Sequence, residues 1–340
     1  MKTQIEKCLS GSDLTVEESS SALDMILTGH ATEAQIGGLL VALRAKGETV
    51  DELVGFAQIL RERGIRLKID DPDAIDMCGT GGDGLGTFNI STVSSFVVAG
   101  AGVTVAKHGN KSVTSKSGSA DVLTALGVNL QCSPETVQVC INSIGIGFLF
   151  APLFHPAMKY VAKPRNELGV RSIFNMLGPL INPAGVLRQL IGTYHPVALQ
   201  LLAGALRKLG AVKACIVHSD DGMDEITLSG STAILEVNGL AGFKAYKVEP
   251  KDFGLPVHAV DSMQGGDKVA NAAIAMSILK GIASPSRDIV VANAAVGLYV
   301  AGKASTLPEG KDMAEESIDS GKAMKKLQQL ITLTTSYELT

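Results

Sequence analysis

Residues 78–121 read CGTGGDGLGTFNISTVSSFVVAGAGVTVAKHGNKSVTSKSGSAD. Five of the eight residues from Gly79 to Gly86 are glycine. Between Gly84 and Ala120 there is no Asp or Glu, whereas Lys107, Lys111 and Lys116 carry positive charge. Hydroxyls crowd the same stretch, at Thr87, Ser91, Thr92, Ser94, Ser95, Ser112, Thr114, Ser115, Ser117 and Ser119. Glycines let backbone N–H groups close around an anion, helix N-termini aim more N–H groups at it, and lysines neutralise it. The pattern predicts a site for a ligand with several phosphates.

The flanking texture sets the fold. Residues 74–78 read as a strand that feeds the glycine loop, 91–101 as a buried helix and 103–106 as a second strand. A helix over 117–126, a third strand over 128–130, a helix over 134–144 and a strand over 146–150 follow. This alternation predicts an α/β domain with a mostly parallel sheet covered by helices. In such a sheet, successive strands deliver their following loops to one edge, where ligands bind. The glycine loop and the second polar loop, KHGNKSVTSKSG, are therefore expected to converge on one polyanion.

Upstream, apolar residues spaced by three and four predict helices over 17–27, 33–46 and 50–62, with Asp13, Thr32 and Thr49 as N-caps. This small bundle, residues 1–70, is expected to regain helices from about 155–180, leaving 71–340 as the α/β domain. Further strands are expected over 211–217 and, antiparallel, within 235–248; helices are expected over 267–279, 286–301 and 311–330.

A chain of 340 residues can bury a large core. Its net charge of −4 gives no footprint for nucleic acid. No apolar run reaches the roughly 18 residues of a membrane span, and no segment reads as a signal peptide. Cys8, Cys78, Cys132, Cys140 and Cys215 are odd in number and lack C-x-x-C spacing, which argues against a disulfide framework or a zinc site and for a cytoplasmic home.

Residues 79–84 match G-x-G-x-x-G, but a dinucleotide site wants an acid at the end of the second strand, where this chain has Lys107. No G-K-[ST] follows, so a Walker loop is excluded. The run Asp220-Asp221-Gly222-Met223-Asp224-Glu225 follows the strand expected over 211–217. Alone it reads as a solvated turn; beside a phosphate cradle it reads as a Mg²⁺ site, because Mg²⁺ is typically held by one or two carboxylates plus substrate phosphates. Arg165, in KPRNELGVR, is either a surface ion-pair partner, for instance of Glu167, or a clamp for a planar carboxylate.

GTGGDGLGTFNIST, KHGNKSVTSKSGSADVL, RNELGVRSIFNMLGPLINP and DGMDE, in that order, closely resemble the anthranilate phosphoribosyltransferase family along essentially the whole chain. The resemblance implies a helical domain plus a larger α/β domain, similar to pyrimidine nucleoside phosphorylases, and a homodimer formed through the helical domains. It implies transfer of phosphoribose from phosphoribosyl pyrophosphate (PRPP) to anthranilate in tryptophan biosynthesis. By the same resemblance, Gly79, Gly82, Asp83, Thr87, Asn89, Ile90, Ser91 and Thr92 line the PRPP site. Lys107, His108, Gly109, Asn110, Lys111, Ser112, Val113, Thr114, Ser115 and Ser119 close over it. Lys111 stands where many relatives have Arg, and Thr114 where Ser is common. Ser91 and Glu225 would hold one Mg²⁺, Asp224 and Glu225 a second. Gly79, Asn110 and Arg165 would contact anthranilate, in a pocket also lined by His108, His155, Tyr160 and Pro179. No dedicated general base is expected, and no nucleic-acid or membrane partner.

Overall fold

The computed structural model describes residues 1–112 and 117–336. Four helices open the chain: α1 (Lys2–Leu9), α2 (Val16–Leu27), α3 (Glu33–Lys46) and α4 (Val50–Arg63). The last three each begin with a capping box, in which a Thr side chain accepts from the third helical amide and the residue there, Glu18, Gln35 or Glu52, bonds back. These reciprocal bonds satisfy two of the orphan amides at each helix start. The cap of α2 is Thr15, not Asp13; Asp13 instead pairs with Lys46 at 2.8 Å.

The remaining elements are β1 (Ile75–Gly79), α5 (Ile90–Gly100), β2 (Val105–Gly109), α6 (Ser119–Ala125), α7 (Pro134–Ile144), β3 (Ile146–Phe150), α8 (Ala151–Phe154), α9 (Lys159–Leu168), α10 (Phe174–Leu177), β4 (Arg188–Gly192), α11 (Pro196–Lys208), β5 (Lys213–Ser219), β6 (Thr232–Val237), β7 (Phe243–Val248), α12 (Lys268–Leu279), α13 (Pro285–Val300), α14 (Leu307–Asp319) and α15 (Lys322–Ser336). The seven strands form one sheet in the order β3-β2-β1-β4-β5-β6-β7. All neighbours from β3 to β5 are parallel; β6 and β7 add antiparallel at the edge.

One face of the sheet packs on α5, α13, α14 and α15 through Ile75, Met77, Val105, Leu190 and Val217. On the other face Ile191, Ala214 and Ile216 join α11 and the N-terminal helices in a second continuous core. Helix α9 packs on α2 and α3, and α11 on α4.

The structure differs from expectation at three further places. Residues 128–130 are not a strand: Val128 and Leu130 are buried in the core, and the Asn129 amide donates to Thr334 Oγ1 of α15 at 3.2 Å, so β3 remains the sheet edge. The helix expected over 311–330 is two, α14 and α15, broken at Ser320 and Gly321, where Gly321 has a φ of 76°. Strand β4 sits beside β1 without having been expected.

Candidate active site

The chain leaves β1 toward β2 and β3 on one side, and β4 and β5 lie on the other. The C-terminal ends of β1 and β4 therefore flank a topological switch point, the crevice where open α/β sheets bind ligands. The glycine loop follows β1, the KHGN loop follows β2 and the acidic loop follows β5. Gly81, Gly82, Gly84 and Gly86 all have φ between 64° and 82°. That left-handed conformation disfavours side chains. At Gly192 the need for glycine is steric, since a Cβ there would lie 1.5 Å from the Asp224 carbonyl oxygen.

The acidic loop divides its labour. Asp221 holds the loop itself, accepting from Thr227 Oγ1 at 2.5 Å, Ser229 Oγ at 2.6 Å and the Met223 amide at 2.9 Å. Asp220 faces outward to Lys247 at 3.1 Å. Asp224 and Glu225 turn to the cradle: Asp224 Oδ2 accepts from the Gly81 amide and Glu225 Oε1 from the Ser91 amide, both at 3.0 Å. From behind, Ser219 Oγ donates to the Glu225 carbonyl at 2.6 Å, and Asn293 Oδ1 accepts from the Ile226 amide at 2.9 Å.

This arrangement gathers half-buried carboxyl groups. Burial, then Asp83, pushes Asp224 up to about 7. Burial, then Asp224, pushes Glu225 up to about 8, against the attraction of Lys107. Oδ2 of Asp83 is buried with no hydrogen-bond partner among the described residues. Among the described residues no three His, Cys, Asp or Glu side chains converge to hold a metal ion by themselves. Hard oxygen donors short of a counter-cation, in a set that protein alone does not close, fit Mg²⁺, which completes its shell with waters and phosphate oxygens.

Strand β2 serves both faces of the sheet, because neighbouring side chains alternate. Lys107 is buried; its ammonium donates to Ser91 Oγ at 3.2 Å and to the Met77 carbonyl. Burial lowers its pKa, opposed by Asp76. His108, on the opposite face, donates from Nδ1 to the Gly178 carbonyl at 3.0 Å, and its ring meets His155 edge-on at 5.4 Å. His155 in turn donates from Nε2 to the Ile181 carbonyl at 3.1 Å. Burial holds His108 at about 3, assisted by His155, and His155 at about 4. Both are neutral at pH 7, and His108 keeps a buried Nε2, unpartnered among the described residues, as acceptor. Pro179 lies beside this pair and its carbonyl accepts from Gln189 at 2.7 Å.

The other expected residues fall as follows. Asn89 precedes α5, donates to the Ser117 carbonyl and accepts from Asn271, at 3.3 and 3.1 Å. Ile90 and Thr92 are buried in the first turn of α5, and Thr92 Oγ1 has no partner among the described residues. Thr87 bridges to Gln264. Ser119 Oγ donates to the Asn110 carbonyl at 3.2 Å, close to Gly109. Asn110 Oδ1 accepts from the Lys111 amide at 2.7 Å, and the Ser112 amide donates to Asp121 at 3.2 Å. Val113, Thr114 and Ser115 lie outside the described residues.

Arg165 has no ion pair among the described residues; its guanidinium lies 5.0 Å from the Phe174 ring centre and burial lowers its pKa. Glu167 pairs with Lys163 instead, at 3.8 Å. Tyr160 is exposed and packs on Gly29. No hydrogen bond or ring contact joins Arg165 or Tyr160 to the other expected residues, among those described.

Residues not expected also build the site. Asp76, fully buried, accepts from the His108 amide at 3.1 Å and from Asn182 Nδ2 at 2.8 Å, and Asn182 also donates to the Ala106 carbonyl at 2.8 Å. The β1–β2 ladder registers only Ile75 opposite Val105, and these side chains bridge the fork beyond it. A charged residue inside an apolar strand was the available signal for Asp76. Arg171 lies inside the KPRNELGVR motif without having been singled out, and Tyr194 and Asn271 carried no signal.

Residues 71–324 match the glycosyl transferase family a/b domain, and residues 2–64 match the helical bundle domain of that family. An anthranilate phosphoribosyltransferase from Moorella thermoacetica is 49% identical over 337 residues, 99% of each chain. The crystal structure of anthranilate phosphoribosyltransferase from Thermus thermophilus superposes with a TM-score of 0.92 at 40% identity, covering 98% of this chain and 99% of that one. The enzyme from Saccharomyces cerevisiae in complex with PRPP and Mg gives 0.91 at 29% identity, over 98% and 97%.

Proposed function

This chain belongs to the anthranilate phosphoribosyltransferase family, and we propose that the crevice between the glycine loop, the KHGN loop and the acidic loop carries its chemistry. The reaction transfers the phosphoribosyl group of PRPP to the amine of anthranilate and releases pyrophosphate, a step of tryptophan biosynthesis. One observation carries the placement: Asp224 and Glu225 reach across to amides of the glycine loop and of α5.

The glycine-loop amides, the N-terminus of α5 and Lys107 receive the phosphates of PRPP. Ser91, Asp224 and Glu225 hold the Mg²⁺, two ions in this reading. When bound, Mg²⁺ supplies positive charge against the leaving pyrophosphate oxygens. Arg165, short of an anionic partner, takes the anthranilate carboxylate, and Asn110 helps to orient the ring. The amine lone pair forms the bond to C1 of the ribose while the C1–oxygen bond breaks and its electron pair leaves with pyrophosphate, inverting α to β. An aromatic amine is neutral at pH 7 and needs no activation. The neutral His108 is too weak a base to keep a proton near pH 7; its free Nε2 accepts a hydrogen bond, and the proton released after attack passes to water or pyrophosphate. Positioning and electrostatics therefore do the catalytic work.

The protein works as a cytoplasmic homodimer through its N-terminal helices in this reading. Loss of anthranilate fluorescence on mixing with PRPP and Mg²⁺ is the expected result. No loss with fresh protein, or full turnover in excess EDTA, overturns the activity or the metal assignment respectively.

A further inference from the structure

The glycine loop has few fastenings. Its stem is tied by the Thr80 amide to the Gly192 carbonyl at 2.9 Å and by the Gly81 amide to Asp224. Its far end is tied by the Gly86 carbonyl, which accepts from Gly265 at 2.9 Å. Between these, among the described residues, two side chains from outside the loop donate to its carbonyls: Gln264 Nε2 to Leu85 at 3.0 Å, and Arg171 Nη2 to Gly82. Arg171 comes from the connection after α9, the helix that carries Arg165. Its guanidinium is stacked on the Tyr194 ring, 3.8 Å from the centre. The Tyr194 amide in turn reaches Thr80 Oγ1 at 3.4 Å, closing a circuit back to the loop stem.

We propose that Arg171, stacked on Tyr194 and bonded to the Gly82 carbonyl, is a positioning residue: a clamp that holds the glycine loop in its phosphate-receiving shape and ties it to the segment bearing Arg165. The physical need is entropic. A run with four left-handed glycines has many accessible conformations, and each unfixed residue adds to the cost of ordering it around a ligand. A planar guanidinium suits the task because it can lie flat on an aromatic ring and still donate in its own plane; an ammonium has no such geometry. Arg171 is exposed, so its replacement leaves the core intact.

The functional part of this inference rests on the glycine loop being the PRPP site, and the test separates the two. Hydrogen exchange of the amides over residues 81–86 is measured on the full-length protein without substrate, beside KM for PRPP and for anthranilate and the melting temperature. Arg171→Ala and Tyr194→Ala are expected to speed exchange and to raise the PRPP KM about five- to thirtyfold, the size of a stacked cation plus a hydrogen bond. Anthranilate KM and melting temperature should stay near wild type. Tyr194→Phe keeps the ring and should behave as wild type, Arg171→Lys should rescue little, and the double alanine variant should be no worse than either single. Unchanged exchange, an unchanged PRPP KM, equal rises in both KM values, or a Tyr194→Phe as damaged as Tyr194→Ala would each overturn the clamp. Faster exchange with no PRPP binding even by wild type would leave the clamp standing and remove the PRPP reading.

Discussion

The N-terminal bundle and the C-terminal edge of the sheet treat their acidic residues differently. In the bundle, three successive helices are closed by capping boxes. Its buried acid, Glu52, accepts from the Leu14 and Thr49 amides and pairs with Lys46 at 3.0 Å. At the sheet edge, Asp83, Asp224 and Glu225 crowd together with one buried lysine, and oxygens of Asp83 and Thr92 and a nitrogen of His108 have no partner among the described residues. Sites depart from local consistency where a ligand completes them, and the rest of the fold carries the cost.

That contrast can be broken at several points. The largest effect is expected for Glu52→Ala, which leaves the Leu14 and Thr49 amides without their acceptor and Lys46 with only Asp13 and the Gly47 carbonyl. Removing one partner of a buried pair costs about 3–5 kcal/mol. Denaturant melting should show that loss, with kcat of the surviving folded enzyme unchanged; a large kcat defect would mean the bundle takes part in the chemistry.

Next comes Glu225→Gln, expected to lower kcat by on the order of 3 kcal/mol, a hundredfold or more, while leaving stability equal or higher. The pH dependence sharpens the same point. Acids whose folded pKa is raised stabilise the protein fully below their ordinary range, near 4, and that stability is lost as pH rises through about 7 and about 8. Melting in EDTA should therefore fall between pH 5 and 9, less steeply in Glu225→Gln. A flat profile in wild type would refute the crowding.

Arg165→Ala follows: loss of a charge-assisted contact, about 1.5–3 kcal/mol, should raise the anthranilate KM about ten- to a hundredfold and spare PRPP. Lysine should restore only part. The rival role, an ion pair with Glu167, finds no support, since Glu167 pairs with Lys163. A drop in melting temperature with both KM values shifted would revive a structural role for Arg165.

The smallest effect is expected in the bundle again. Thr32→Ala removes one cap and should cost about 1 kcal/mol by denaturant melting, with unchanged kinetics; a kinetic defect would tie the helix start to the site.

Much of the fold was legible because its signals are local. The Thr-x-x-Gln/Glu patterns at Thr32 and Thr49 mark helix starts, and the glycine run and the lysine-rich loop follow the two strands expected to carry them. Where local signals compete, reading failed. Asp13 and Thr15 both suit a cap, and Asp13 is drawn away by Lys46, which is 33 residues distant. The apolar trio over 128–130 has the composition of a strand, but α15, some 205 residues on, takes its amide. Gly321 stands inside an otherwise helical pattern and ends a helix there.

The sequence by itself determined the ligand class, through charge, hydroxyl and glycine content, and the order of the elements that carry it. Only the tertiary structure decided which members of each motif face the crevice. Asp221 and Asp224 are alike in sequence, yet one is consumed by Thr227 and Ser229 within its own loop, and the other meets Gly81, 143 residues away. Likewise Arg171 found Tyr194, Asp76 found Asn182, and β4 settled beside β1 through long-range packing. Composition dictates which interactions a segment can make; which ones it does make depends on what the folded chain brings within about 3 Å of it.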